Sequence, residues 1–245
     1  MSIPRATLGV AALLAFGILC NAGRNFLISP SWQGGWVSTG SLTATPQTLV
    51  VWVRPSVTNG IGKALLTTTG AANHYQLAGI SVGLNRWYVA SRAGGSESYA
   101  ASLTPPALNQ WTHIAAVFAS GTSRVIYVNG VPEGTNATSV APTLTAMSLG
   151  IRCDGGFPNS GSPSIFEGDL ALAAIYNVAL TTSEIEQLAG GGSPAKAVHP
   201  TKIRPQSLIA EWSLDGGTAF ERNSVGLPVF LTNLPARAAG PTIIR

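Results

Sequence analysis

The chain has 245 residues, 28 of them Gly and 16 Pro, and only 10% are charged, for a formal net charge of +4. This mixture favours many short strands joined by tight turns and argues against a helical bundle. Its 14 Lys and Arg are scattered without a run, which leaves no electrostatic footprint for nucleic acid.

Two cysteines, Cys20 and Cys153, cannot form a framework for a domain of this size, and no CxxC or Cys/His cluster is present. The positive mean hydropathy of +0.27 points to surface covered by a partner rather than by water.

Residues 1–28 are an apolar N-terminal segment. The run from Ala6 to Cys20 falls short of the about 20 residues of a membrane span. It fits a signal peptide with Cys20-Asn21-Ala22 as the cleavage site. Equally, it fits a retained apolar helix packed against a neighbouring subunit. Residues 29–192 form the main domain. Gly190-Gly-Gly-Ser-Pro194 breaks the chain, and residues 193–245 are a C-terminal extension with strand-like pieces of its own.

The main domain reads as β throughout. TLVVWVRP (48–55) is a strand that Pro55 ends, and KALLTTT (63–69) follows a Gly-rich turn. HYQLAGISVG (74–83) and RWYVASRA (86–93) make a hairpin about Leu84-Asn85. WTHIAAVFA (111–119) and SRVIYVNG (123–130) make another about Ser120-Gly-Thr122. AMSLGIR (146–152) and IFEGDLALAAIYN (165–177) flank a Gly/Pro/Ser/Asn loop. Strands at this spacing predict an all-β, two-sheet antiparallel jelly-roll sandwich. One short helix is predicted in LTTSEIEQLAGG. Thr181 and Glu184 are spaced as a capping box, Ile185 and Leu188 share a face, and Gly190 suits the left-handed end.

In the second hairpin, His113, Ala115 and Val117 fall on one face, opposite Thr112, Ile114, Ala116 and Phe118. Trp111-Thr-His113-Ile-Ala115, then Arg124-Val-Ile-Tyr-Val-Asn-Gly130, resembles the paired strands of laminin-G-like, concanavalin A-like jelly rolls. TLVVWVRP, LGIRCDGG and FEGDLALAAIYNVALTTSEIEQLAGG agree with that family in order and spacing. The resemblance covers roughly residues 45–190. In the tail, Ile203-Arg-Pro-Gln-Ser-Leu-Ile-Ala-Glu-Trp-Ser-Leu214 is similar to a segment that follows such domains in bacteriophage-encoded proteins. This resemblance implies a non-enzymatic virion component, a capsid decoration or tail-associated subunit, with glycan attachment to a host surface. The alternative is a secreted carbohydrate-binding or adhesion protein.

The chain departs from the family at Leu170-Ala171-Leu172-Ala173-Ala174, where an outward acid and Arg are usual. Ala171 and Ala174 therefore mark a face expected to meet another subunit or the tail, with Trp212 a further interface candidate. A homo-oligomer among other virion proteins is the expected assembly.

For a ligand, sugars stack on aromatic faces. Trp32, Trp36, Tyr75, Trp87, Tyr88 and Tyr99 are available, and Trp87 and Tyr88 are the candidates chosen. The CDGGFPNSGSP loop offers Asp154 and Asn159 as weak ligand candidates where related domains bind calcium. No cofactor is otherwise expected. Asn136-Ala-Thr138 is a glycosylation sequon. Catalysis is not expected: Glu167-Gly-Asp169 begins a glycosidase-like acidic pattern, but Leu172 stands at its third position. His74, His113 and His199 are isolated.

Overall fold

The computed structural model describes residues 19–26, 36–38, 42, 44–58, 63–152, 164–214, 220–221, 229–232 and 236–244. The strands before residue 42 and after 214 are described by their backbone. In chain order the strands are β1 (Leu19–Phe26), β2 (Trp36–Ser38), β3 (Thr48–Pro55), β4 (Lys63–Gly70), β5 (His74–Ser81), β6 (Arg86–Ala93), β7 (Ser96–Ala101) and β8 (Thr112–Ser120). Next come β9 (Ser123–Val128), β10 (Val131–Asn136), β11 (Leu144–Leu149) and β12 (Gly168–Tyr176). After helix α1 (Thr182–Ala189), β13 (Leu208–Trp212), β14 (Phe220–Glu221), β15 (Val229–Thr232) and β16 (Ala236–Ile244) complete the chain.

They form two antiparallel sheets of eight strands each among the described residues. The first runs β10-β9-β8-β3-β12-β1-β16 with β13 also beside β12, and the second runs β14-β15-β2-β11-β4-β5-β6-β7. This is the expected all-β jelly-roll sandwich with one short helix. Alternation explains how the layers close. Leu49, Val51 and Val53 of β3, Ile114, Ala116 and Phe118 of β8, and Ile126 and Val128 of β9 point into one core. There they meet Leu66, Ala78, Ile80, Trp87 and Val89 from the second sheet.

At β3, β8 and β12 the other face of the first sheet is also buried, and the chain covers it itself. Val50, Ala115, Val117, Ala174 and Tyr176 pack against Leu180, Ile185 and Leu188 of the helix region and against Ile203. The helix forms as the sequence predicts. The Thr181 side chain accepts from the Glu184 amide, the Glu184 carboxylate accepts from the Thr181 amide, and Gly190 ends the helix at φ 53°. A strap of short 3-10 turns then crosses the sheet, held where the Tyr176 hydroxyl donates to the Pro200 carbonyl at 3.0 Å.

β12 carries the fold's main irregularity. Its register against β3 shifts between Ala171 and Ala174, and Leu172 sits there at φ 45°, a bulge. On the side of β12 away from β3, β1 pairs with Gly168–Leu170 and β13 pairs with Ala173–Tyr176. The Leu172 amide between them donates to the Ser213 carbonyl at 3.2 Å. Residues of the expected C-terminal extension therefore enter both sheets within the chain: β13 and β16 in the first, β14 and β15 in the second. The candidate cleavage site Cys20-Asn21-Ala22 lies inside β1, whereas residues 1–18 are outside the described residues.

Candidate functional site

With β3, β8 and β12 of the first sheet buried on both faces, the outer face of the second sheet is where the cleft described below opens to solvent. Its register is set by β5, β6 and β7. Tyr75 pairs with Arg92 and Arg92 with Glu97; Leu77 pairs with Ala90 and Ala90 with Tyr99; Gly79 pairs with Tyr88 and Tyr88 with Ala101. These residues lie on the face away from the core, because Ala78, Ile80, Trp87 and Val89 take the opposite parity and enter it; Tyr75, Leu77 and Ala90 are buried in a small cluster of their own, against which Tyr88 packs.

The tyrosines have room because small residues oppose them. Tyr99 faces Ala90 and Tyr88 faces Ala101, so the two rings are diagonal neighbours on adjacent strands. Gly79 adds to this. A Cβ there would come within 3.0 Å of Tyr88 Cε1, so the absent side chain is what lets the ring lie across β5. Tyr99 is 47% exposed at the edge strand, and Leu84 is equally exposed at the tip of the β5–β6 turn. Ser81, Val82, Gly83, Leu84, Tyr88, Glu97 and Tyr99 line an open cleft of about 510 Å³. That is within the usual size range of small-ligand sites, about 300–1,000 Å³.

A polar network fixes one wall. The Tyr75 hydroxyl donates to Glu97 Oε2 at 2.7 Å, and Arg92 Nη1 approaches the same oxygen at 3.4 Å. The Arg152 guanidinium lies 5.0 Å from the centre of the Tyr75 ring. Burial first, and then the hydrogen bond to Glu97, raise the Tyr75 phenol above its ordinary range. Burial followed by the Glu97 charge pushes Tyr88 up to about 12, so both phenols stay neutral across the physiological range. The cleft therefore sets two aromatic rings, Tyr88 and Tyr99, beside one carboxylate, Glu97. It can stack on an apolar ring face and accept hydrogen bonds from hydroxyls.

The sequence candidates are distributed unevenly about this cleft. Tyr88 lines it. Trp87, one residue away, has no exposed surface and packs in the inter-sheet core, so its face is not open to a sugar. Asp154 and Asn159, with Trp32, lie outside the described residues. Among the described residues, no group of three or more His, Cys, Asp or Glu is placed to hold a metal ion.

The interface candidates also have partners inside the chain. Ala171 packs with Trp52, Leu172 and Ala197, Ala174 sits under the helix, and Trp212 is wholly buried in the main core. The face expected to meet another subunit or the tail is covered, among the described residues, by the helix and by the strap, whose Ala197 belongs to that tail. Glu97 and Tyr99 are the site residues not chosen from sequence. In SESYAA they share one parity, flanked by buried Ser98 and Ala100, which is the signal of a half-exposed strand.

The acidic pattern on β12 is structural. Glu167 accepts from Lys63 Nζ at 2.6 Å and Asp169 accepts from Arg54 Nε at 2.5 Å. The histidines are dispersed. His113 is buried edge-on to Trp52, 5.3 Å between ring centres, and burial pushes its pKa down to about 3, leaving it neutral. His74 Nδ1 accepts from the Thr143 amide, and His199 stands 3.7 Å from Glu211 beneath the strap. In the sequon, Asn136 Oδ1 accepts from Arg124, Ser98 and the Thr138 amide, which turns the side chain inward.

Comparison with known proteins gives the fold a context. Residues 33–186 match the family model described as the concanavalin A-like lectin/glucanases superfamily. The chain is similar to a candidate carbohydrate binding protein from Bacteroides ovatus, with a TM-score of 0.65 and 16% identity. That match covers 93% of this chain and 62% of the other, so this chain spans less than two thirds of that protein's length. A heptameric SAP-like pentraxin from Limulus polyphemus is similar at TM-score 0.58 and 15% identity, over 87% of this chain and 96% of that one. Domain 4 of a GH43 extracellular arabinanase from Geobacillus stearothermophilus, solved with arabinotriose, is similar at TM-score 0.51 and 18% identity, over 69% of this chain and 86% of the domain. Identities this low establish a shared fold. No curated protein sequence matches the chain.

Proposed function

We propose, from the premise that the chain belongs to the concanavalin A-like lectin/glucanases superfamily, that it is a non-enzymatic glycan-binding protein. The observation that carries this reading is the cleft on the second sheet, where Tyr88 and Tyr99 present rings beside Glu97. Pyranose and furanose rings have apolar C–H faces edged by hydroxyls. The aromatic rings match the faces and the carboxylate matches the hydroxyls. The carbohydrate-binding descriptions of the Bacteroides protein and the arabinanase domain support the same reading.

Catalysis is not part of the proposal. A retaining glycosidase needs two facing carboxylates about 5 Å apart, one of them free to attack. Glu97 is the one acidic residue lining the cleft, and Glu167 and Asp169 are engaged by Lys63 and Arg54.

The experiment is a glycan array followed by titration calorimetry on the best binder. Tyr88→Ala and Tyr99→Ala are each expected to weaken binding roughly tenfold or more, about 1.4 kcal/mol. Thermal unfolding checks that the variants keep the fold. Undiminished affinity in both would move the site elsewhere.

The biological setting we propose is a bacteriophage virion, as a capsid decoration or tail-associated subunit displaying this cleft toward host-surface glycans. The phage-like segment at Ile203–Leu214 and the 10% charge content support it. Sedimentation of native material with virus-sized particles is the expected result. Recovery as a free extracellular protein shortened near residue 22 would instead favour the secreted carbohydrate-binding or adhesion reading.

A further inference from the structure

We infer that the cleft selects neutral, hydroxyl-rich glycans against acidic ones, an inference that rests on the glycan-binding reading above. Of the seven residues lining the cleft, only Glu97 carries a charge, and that charge is negative. Tyr75 and Arg92 both engage its Oε2. No hydrogen bond within the described residues engages Oε1, which leaves that oxygen to accept from a sugar hydroxyl. A charged acceptor makes a stronger hydrogen bond to a hydroxyl than a neutral one does. The same charge repels a uronate, sialate or sulfate brought to the same wall, and repulsion at contact distance beside protein exceeds its value in open water.

Three cations stand near this face. Arg86 donates from Nη1 to the neighbouring Asn85 carbonyl at 2.9 Å. Arg92 donates from Nε to the Gly94 carbonyl at 3.1 Å and pairs through Nη1 with Glu97 Oε2 at 3.4 Å, which offsets part of the carboxylate's charge and leaves Oε1 to the cleft. Arg152 lies over the Tyr75 ring. None of the three lines the cleft. The charges of Arg86 and Arg152 act at longer range through a field that salt screens, which alters encounter rates more than the fit of a bound ligand.

The aromatic wall agrees with this selection. Tyr88 remains a phenol rather than a phenolate, and a neutral phenol ring stacks on the C–H face of an uncharged sugar without a charge to match.

The test is an array that pairs each neutral oligosaccharide with its uronate-, sialate- or sulfate-bearing counterpart and with its free-amine counterpart. It is read with the full chain and with Glu97→Gln, which keeps the shape and an acceptor but removes the charge. The expected result is binding of neutral members, with acidic partners weaker by about tenfold at low ionic strength. That gap should narrow both in Glu97→Gln and when salt is raised. Acidic members that bind as tightly as the neutral ones, or amine-bearing members that bind as weakly as the acidic ones, would overturn the selection while leaving the glycan-binding reading intact. A gap that persists unchanged in Glu97→Gln and in high salt would also overturn it, since the carboxylate would then not be its source. Failure of every member to bind would instead remove the glycan-binding reading, and this inference with it.

Discussion

Replacing Trp212 with alanine is expected to destabilise the fold by about 3–5 kcal/mol, the range for deleting a large aromatic from a packed core. Trp212 has no exposed surface, and it closes the core together with Leu214 and Ala210 from the same segment. Opposite it in the β12–β13 register stands Ala173, a small residue that leaves space for the indole. The alanine variant would therefore open a cavity bounded by a residue too short to fill it. One term works the other way. The indole N–H is buried without a hydrogen-bond partner, so removing it relieves a desolvated donor.

Trp212→Phe separates the two effects. It keeps most of the apolar volume and discards the unpaired N–H, so its expected cost is only about 1–2 kcal/mol. Urea unfolding midpoints of the three proteins measure the order. If Trp212→Ala unfolds at the wild-type midpoint, the Trp212 side chain is not packed between the sheets in solution.

The hairpin at 111–130 shows how much of this fold was legible in the sequence. Its alternation placed Ile114, Ala116 and Phe118 on one face, and these are core residues. The capping box at Thr181 and the left-handed Gly190 were equally readable, because a cap is a local matter of side-chain reach and φ. β12 was harder. A strand buried on both faces has no polar side, so the Leu170–Tyr176 run carries no parity signal, and the bulge at Leu172 leaves no trace in it. β10 was missed because Pro132 and Gly134 argue against a strand. Both are tolerated there because β10 is an edge strand with a register shift between them.

The site was half legible for a related reason. Trp87 and Tyr88 are adjacent, and the larger ring looked the better sugar platform. The strand's own charges held the answer, since Arg86 and Arg92 share the parity of Tyr88, so that face is the wet one. Glu97 and Tyr99 lie on the next strand, and only the β6–β7 register brings them to Tyr88. Pairing between strands is a tertiary fact that one strand's pattern does not contain.

The pair Ala171 and Ala174 marks a covered face in both sequence and structure, and the remaining question is what covers it. With the helix and strap in place, Ala171→Asp is expected to destabilise the chain itself, by about 3 kcal/mol or more at neutral pH. The new carboxylate would stand 2% exposed among Trp52, Leu172 and Ala197, opposite Trp52 in the register. The Trp52 indole N–H lacks a partner and could donate to it, yet one hydrogen bond to a charged group contributes only about 1.5–3 kcal/mol. The nearest guanidinium across the β3–β12 pair, that of Arg54, is already joined to Asp169.

The sign of the pH dependence follows. Burial would raise the folded-state pKa of the new acid above its unfolded value of about 3.9. Below that value both states are protonated and the electrostatic part of the loss vanishes. As pH rises above it, the unfolded chain ionises first and the variant weakens progressively relative to wild type. Urea midpoints of both proteins across that range, read beside their sedimentation, decide between the two coverings. A midpoint deficit that grows with pH is the result expected of cover within the chain. A variant with wild-type unfolding at every pH but a smaller assembly would mean that another subunit, not the strap, lies on Ala171.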